Sequence, residues 1–197
     1  MIHTNQKKKV YVFLFDGYAD WELGFVLPEL QKSGRYEIKT FSLDQRPLLS
    51  MGGLLVKPSI GIDRISMEEA AILILPGGSA WEEKKLNGIV PTILSFRKKK
   101  IPIAAICAAT TMVAEIGLLN EVEHCSNAKE YLKAIALEYR GEDLYRDAPA
   151  VRDKDIITAS GTAPIEFARE IFAALGIHEE DRLNKWFMLF KHGIWDN

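Results

Sequence analysis

Cys107 is the residue of this 197-residue chain whose surroundings point most directly to chemistry. It ends an apolar run over residues 101–106 and precedes a helix-like pattern over 108–119. A strand that turns into a helix at a single residue needs small side chains two places to either side, because those places crowd the backbone. They are Ala105 and Ala109. The cysteine would project above a sheet, near unpaired N–H groups and a helix dipole that favour a thiolate. The Ala108 N–H would point at an oxyanion formed on an attacked carbonyl. The alternative is a small buried hydrophobe, since free cysteine is among the most buried residue types.

Two other turns can meet it. Pro76-Gly77-Gly78 follows a core run and brings the Gly78 N–H as a second oxyanion donor, or is a plain turn. The segment GYADWEL holds Asp20 and Glu22. A carboxyl beside a thiol orients it when protonated and acts as a base when ionised. Acids are also favoured at a helix N-terminus for electrostatic reasons alone.

The elements that must position these turns are legible in outline. Residues 10–15 (VYVFLF), 71–75 and 101–106 read as strands buried on both faces, and 36–43 as a further strand. Helices are expected over 20–34 with Gly34 as cap, 88–100, 108–119, 129–136 and 164–175. Residues 48–58 suggest a hairpin turning at Gly52-Gly53, and 148–151 with 155–159 a second one. Residues 122–125 suggest a short strand. Strands alternating with helices imply an α/β three-layer sandwich with a mostly parallel sheet, helices on both faces and a nucleophile elbow. Ligands bind such sheets beyond the carboxyl ends of the strands, which is where the three turns lie. The chain is expected to be one domain over 1–197, with 180–197 as a C-terminal helical tail.

Composition narrows the classes. The chain is 48% hydrophobic and 26% charged with a net charge of −2, so no global basic field invites nucleic acid. The basic run RKKK at 97–100 reads as a solvated helix end. No apolar run is long enough to span a bilayer, and MIHTNQKKKVYVFLF reads as a first strand rather than a signal peptide. Two cysteines, Cys107 and Cys125, make no disulfide framework, and a reduced cytoplasmic setting is expected. The aromatic segment WFMLFKHGIW at 186–195 packs on the domain or serves a dimer interface; it lacks the strongly basic face of a membrane-surface helix.

Four segments taken together, YVFLFDGYADWEL, ILILPGG, IPIAAICAATTMVAEIGLL and IITASGTAPIEFAREI, resemble the ThiJ/PfpI superfamily in the right order. That superfamily shares the class I glutamine amidotransferase-like fold. It includes the Parkinson-disease-associated deglycase and PfpI-type intracellular proteases. The resemblance implies a flavodoxin-like sandwich, usually a homodimer, without metal or organic cofactor. It assigns Cys107 as the reactive cysteine, Glu22 as the glutamate that hydrogen-bonds it, and Gly78 and Ala108 as backbone positions lining an oxyanion pocket.

The departures concern the base. PfpI-type proteases carry histidine directly after the cysteine, where this chain has Ala108. The amidotransferase His-x-Glu pair is missing from the turn SGTAP, and His178-Glu179-Glu180 lies beyond the closing helix. Deglycase-like members place a histidine on the strand after the elbow helix, where this chain has Asn127. His124, three residues earlier, is a candidate base or a structural histidine. Asn127 orients a substrate or caps the next helix. Cys125 reads as a strand residue, and His3 and His192 have no spacing that suggests chemistry.

The function expected on these grounds is cysteine-dependent turnover of small reactive carbonyl or amide-like compounds, of glyoxalase, deglycase or hydrolase type. A redox-sensing role for Cys107 in stress response and a non-catalytic binding module are the alternatives.

Overall fold

The computed structural model describes residues 7–195. Its strands are β1 (Lys9–Phe13), β2 (Glu37–Ser42), β3 (Leu48–Leu49), β4 (Leu55–Val56), β5 (Ile60–Gly61), β6 (Ala70–Leu75), β7 (Ile103–Ile106), β8 (Ala150–Asp153) and β9 (Ile156–Ala159). Its helices are α1 (Val26–Ser33), α2 (Val90–Lys98), α3 (Ala109–Glu115), α4 (Lys129–Ile135), α5 (Pro164–Leu175) and α6 (Glu180–His192). Seven strands form one sheet in the order β5-β2-β1-β6-β7-β9-β8, and β3 pairs with β4 apart from it. Every pairing in the large sheet is parallel except β8 with β9. This is the flavodoxin-like α/β arrangement.

Parallel strands need crossovers, and right-handed crossovers put helices on both faces. α1, α5 and α6 pack together on one face, while α2 and α3 meet β7 from the other. The strands β1, β6 and β7 are almost wholly buried, which explains their unbroken apolar sequences. Phe13, Phe15, Phe41 and Trp81 form an aromatic cluster at the carboxyl ends of β1 and β2.

Several local expectations are revised. The segment 20–34 is not one helix: a 3₁₀ turn, Asp20–Leu23, precedes α1. Gly34 does cap α1 in the left-handed conformation, with φ 62°. The helix after the cysteine ends at Glu115 rather than 119. Residues 122–125 make no regular strand; a lone bridge joins His124 to Tyr145. In α6, Leu183 and Trp186 are buried, and Phe190 stays half exposed while its ring meets those of Phe25 and Trp186.

Candidate active site

Cys107 sits between β7 and α3 with φ 59°, a left-handed conformation unfavourable for a residue with a Cβ. The surroundings hold it there. Its N–H donates to Ala159 O at 2.9 Å. Its carbonyl accepts from Thr110 Oγ1 at 2.6 Å, and that hydroxyl is also 2.6 Å from Ser126 Oγ. The thiol is partly exposed.

Glu22 is fully buried, on the 3₁₀ turn that follows β1. Gly77 N–H donates to its Oε2 at 2.6 Å. Its Oε1 is buried without a hydrogen-bond partner among the described residues. That oxygen faces the cysteine: a Cβ placed on Gly77 would lie 2.9 Å from Glu22 Oε1, 3.0 Å from Cys107 Sγ and 2.6 Å from Cys107 Cβ. Only glycine lets the β6 turn run this close to both groups. The turn is anchored by Trp81 Nε1–H, which donates to Pro76 O at 2.8 Å, and by Ala19 N–H, which donates to Gly77 O at 2.9 Å. Gly77→Ala is therefore expected to destabilise the fold by about 1–3 kcal/mol through overpacking and to slow iodoacetamide labelling of Cys107. Thermal unfolding and peptide mapping read both effects.

Burial raises the Glu22 pKa from 4.5 to about 7, with the Gly77 N–H and Cys107 partly opposing. A group that holds its proton more tightly when folded contributes stability below its unfolded pKa and loses it as pH rises through the folded value. Stability is expected to fall by about 3 kcal/mol between roughly pH 4.5 and pH 7 on this account. Glu22→Gln should abolish that decline, leaving the variant more stable than the native chain at pH 8. Melting temperature against pH checks this, and parallel curves for the two proteins would refute it.

Burial also pushes the Cys107 thiol up; Asn127 and the Ala108 amide pull it back, and the Glu22 charge raises it further. A thiol pKa lowered by the helix N-terminus, as the sequence suggests, is not what these surroundings produce. Desolvation outweighs the hydrogen bonds from Asn127 and the Ala108 amide that favour the thiolate. A partly exposed thiol beside a buried carboxyl instead keeps one proton within reach of both groups.

Asn127 does not cap α4: the N-cap is Ala128, without a side-chain cap hydrogen bond. Asn127 Oδ1 accepts from Gly161 N–H at 2.9 Å, which aims Nδ2 at Cys107 Sγ, 3.5 Å away. A Cβ on Gly161 would lie 2.7 Å from Sγ, so this turn too approaches the thiol as closely as glycine allows. Neither the Gly78 nor the Ala108 N–H donates to a carbonyl among the described residues. Both amides belong to turns that meet at the thiol.

Other candidates are placed elsewhere. His124 is fully buried, with Nδ1 2.8 Å from Val122 O and Nε2 2.7 Å from Tyr139 Oη. Both ring nitrogens are occupied and neither by Cys107, and burial holds its pKa below the ordinary value. Asp20 accepts from Ser50 Oγ and Gly52 N–H, so it ties the β3–β4 hairpin to the 3₁₀ turn. Cys125 is buried, and burial raises its pKa to about 11. His178 Nε2 lies 2.9 Å from Glu29 Oε1 and fastens the α5–α6 turn to α1. His192 stacks edge-on against Phe187, and His3 lies outside the described residues. Sequence reasoning missed Gly77 and Gly161 as walls of the thiol, although both stand in Gly-bearing turns after strands. It also missed Tyr131, whose hydroxyl donates to Glu82 Oε1 at 2.6 Å; burial raises its pKa, then that bond, and Cys107 contributes electrostatically.

The DJ-1/PfpI family profile matches residues 8–174. The chain belongs to the DJ-1/PfpI family. It is 37% identical over 194 residues to "Uncharacterized protease YoaZ" of Bacillus subtilis, covering 94% of this chain and 92% of that protein. A solved thiJ/pfpI family protein from Bacillus anthracis superposes with a TM-score of 0.90 at 37% identity, covering 96% of this chain and 92% of that one. A protein of Thermococcus kodakarensis named as a deglycase is 29% identical over 113 residues, covering 56% of this chain and 67% of that protein. The DJ-1/PfpI relatives thus carry both protease and deglycase names.

Proposed function

We propose that this protein is a cysteine-dependent enzyme acting on small reactive carbonyl compounds, with Cys107 as nucleophile and Glu22 as proton carrier. The observation that carries this reading is the pairing of Cys107 in a left-handed elbow with a buried carboxyl of pKa about 7. A group with that pKa both accepts and returns a proton near neutrality.

For a 2-oxoaldehyde such as methylglyoxal, Sγ attacks the aldehyde carbon while the thiol proton passes to ionised Glu22. The C–S bond forms and the carbonyl electron pair moves to oxygen, beside the Gly78 and Ala108 amides. Glu22 returns the proton to that oxygen, giving a hemithioacetal. Glu22 then takes the proton from the former aldehyde carbon, giving an enediolate, and delivers it to the neighbouring carbon, while the hydroxyl proton on the first carbon passes to the oxygen of the second; this leaves a thioester of a 2-hydroxy acid. Water cleaves the thioester, releases the acid and restores the thiol. Asn127 Nδ2–H supports the developing thiolate. Amide-like substrates would use the same attack and water step.

A protease role lacks support at the neighbouring position, where Ala108 offers no base. The reading includes a single domain, a reduced cytoplasmic setting that keeps the thiol free, and a homodimer. Exposed Trp21, Leu49, Leu54 and Leu55 beside the β3–β4 hairpin favour such an assembly. The test is consumption of methylglyoxal with 2-hydroxy acid as product; absence of turnover on both oxoaldehydes and small amides overturns the reading.

A second reading rests on the unpartnered Glu22 Oε1. When protonated it can donate to an oxidised sulfur, so Cys107 would hold a sulfinate as a redox sensor. Stable added oxygen at Cys107 on peroxide titration, seen by intact mass without carbonyl turnover, distinguishes it.

A further inference from the structure

The amino ends of the central strands carry a feature that the thiol chemistry does not use. Arg97, Lys98 and Lys100 lie close together in sequence at the end of α2, and the hairpin turn between β8 and β9 adds Lys154. Together with Asp155 they line a concavity of about 450 Å³. Four cations face one acid in a chain whose net charge is −2. Among the described residues, no ion pair joins any of the four cations to an acid. Lys154 Nζ donates only to a backbone carbonyl, that of Glu121.

The helix dipole accounts for cations in the last turn of α2. It does not account for Lys154, which arrives from a different element. Lys100 and Lys154 also occupy left-handed positions, with φ 54° and 51°. Glycine would fit both turns at lower conformational cost, so a long cationic side chain stands there against backbone preference. Four like charges around one hollow favour an anion shared among them.

We propose that this concavity binds a small multivalent phosphate, a free anion of the size of pyrophosphate or tripolyphosphate. The volume suits such a group, and several cations around one concavity match its charge. Nucleic acid would need a basic stripe along a face, whereas these cations converge on one hollow. The site lies at the opposite ends of β7 and β9 from Cys107 and Gly161, and the proposal stands apart from the carbonyl chemistry.

The experiment is calorimetric titration of the full chain with tripolyphosphate at physiological salt, where a Debye length of about 8 Å screens diffuse attraction. Sodium chloride of equal ionic strength is the control, and vesicles containing phosphatidic acid form a second arm. Saturable tripolyphosphate binding is expected, weakened at least about tenfold in Lys98→Gln/Lys100→Gly/Lys154→Gly, the loss expected on removal of charge-assisted contacts. The glycines relieve two left-handed positions, so this variant should fold. Lys154→Glu on the exposed turn is the single-site check and should weaken binding in the same direction. Absence of saturable binding, equal affinity in the variants, or a heat signature reproduced by sodium chloride overturns the proposal. Vesicle binding without binding of soluble tripolyphosphate overturns it as well, since the free anion is the proposed ligand.

Discussion

Cys107→Ser is expected to lower methylglyoxal turnover by at least about 10³-fold while leaving the fold intact. Serine is close in size to cysteine and keeps the elbow's backbone bonds, the N–H to Ala159 and the carbonyl to Thr110. Its hydroxyl has no strong base beside it, for His124 has both ring nitrogens engaged elsewhere. Glu22 at a pKa of about 7 can take a proton from a thiol far more readily than from an alcohol. Unfolding temperature and product formation must be measured on the same preparation. A variant that folds normally and retains turnover would remove Cys107 from the mechanism and, with it, the proposed function. Cys125→Ser is the matched control and should leave turnover unchanged, because that thiol is buried and held near Thr158.

The second large effect separates charge from proton transfer. Glu22→Gln is expected to lower turnover by roughly 10²–10⁴-fold, the contribution of a positioned acid–base group. The same substitution should make Cys107 easier to alkylate at pH 8, roughly threefold to tenfold, once thiolate gain is set against the lower nucleophilicity of a more acidic thiol. The Glu22 charge and its contact with the thiol both raise the thiol pKa. Removing that charge lowers it, while Gln can still accept from the Gly77 N–H. Faster labelling with slower catalysis at an undiminished unfolding temperature separates loss of the charge from disruption of the pocket, which would also speed labelling by exposing the thiol. Iodoacetamide rate against pH, mapped to Cys107, reads the first change, and steady-state kinetics the second. Labelling that does not speed up, together with slower turnover, would mean that the Glu22 charge does not set the reactivity of the thiol.

Much of this arrangement is legible in the chain before any folding. The unbroken apolar runs of β1, β6 and β7 announce strands covered on both faces, and small residues flanking Cys107 announce the elbow. Gly34 announces the end of α1, and the Pro164 start of α5 is equally local. These are consequences of short-range sterics and burial, which one stretch of chain contains by itself. The order of four such stretches was enough for family and fold.

What the tertiary structure decided is which groups meet across long separations. Asn127 reads locally as a helix cap, yet Gly161, 34 residues later, donates to its amide oxygen and aims the nitrogen at sulfur. His124 reads locally as either a base or a structural histidine; no regular strand forms there, and Val122 and Tyr139 occupy its ring, which leaves the structural reading. Burial pushes the Cys107 thiol up, against the local expectation of a lowered value, because desolvation depends on everything packed around it and not on the neighbouring residues of the chain. RKKK reads as a solvated helix end until the hairpin turn brings Lys154 to the same hollow. Sequence alone determined the core strands, most of the helices and their order, since those arise from neighbours along the chain. The partners of each charged group were set by packing, since burial and distance exist only once the sheet has assembled.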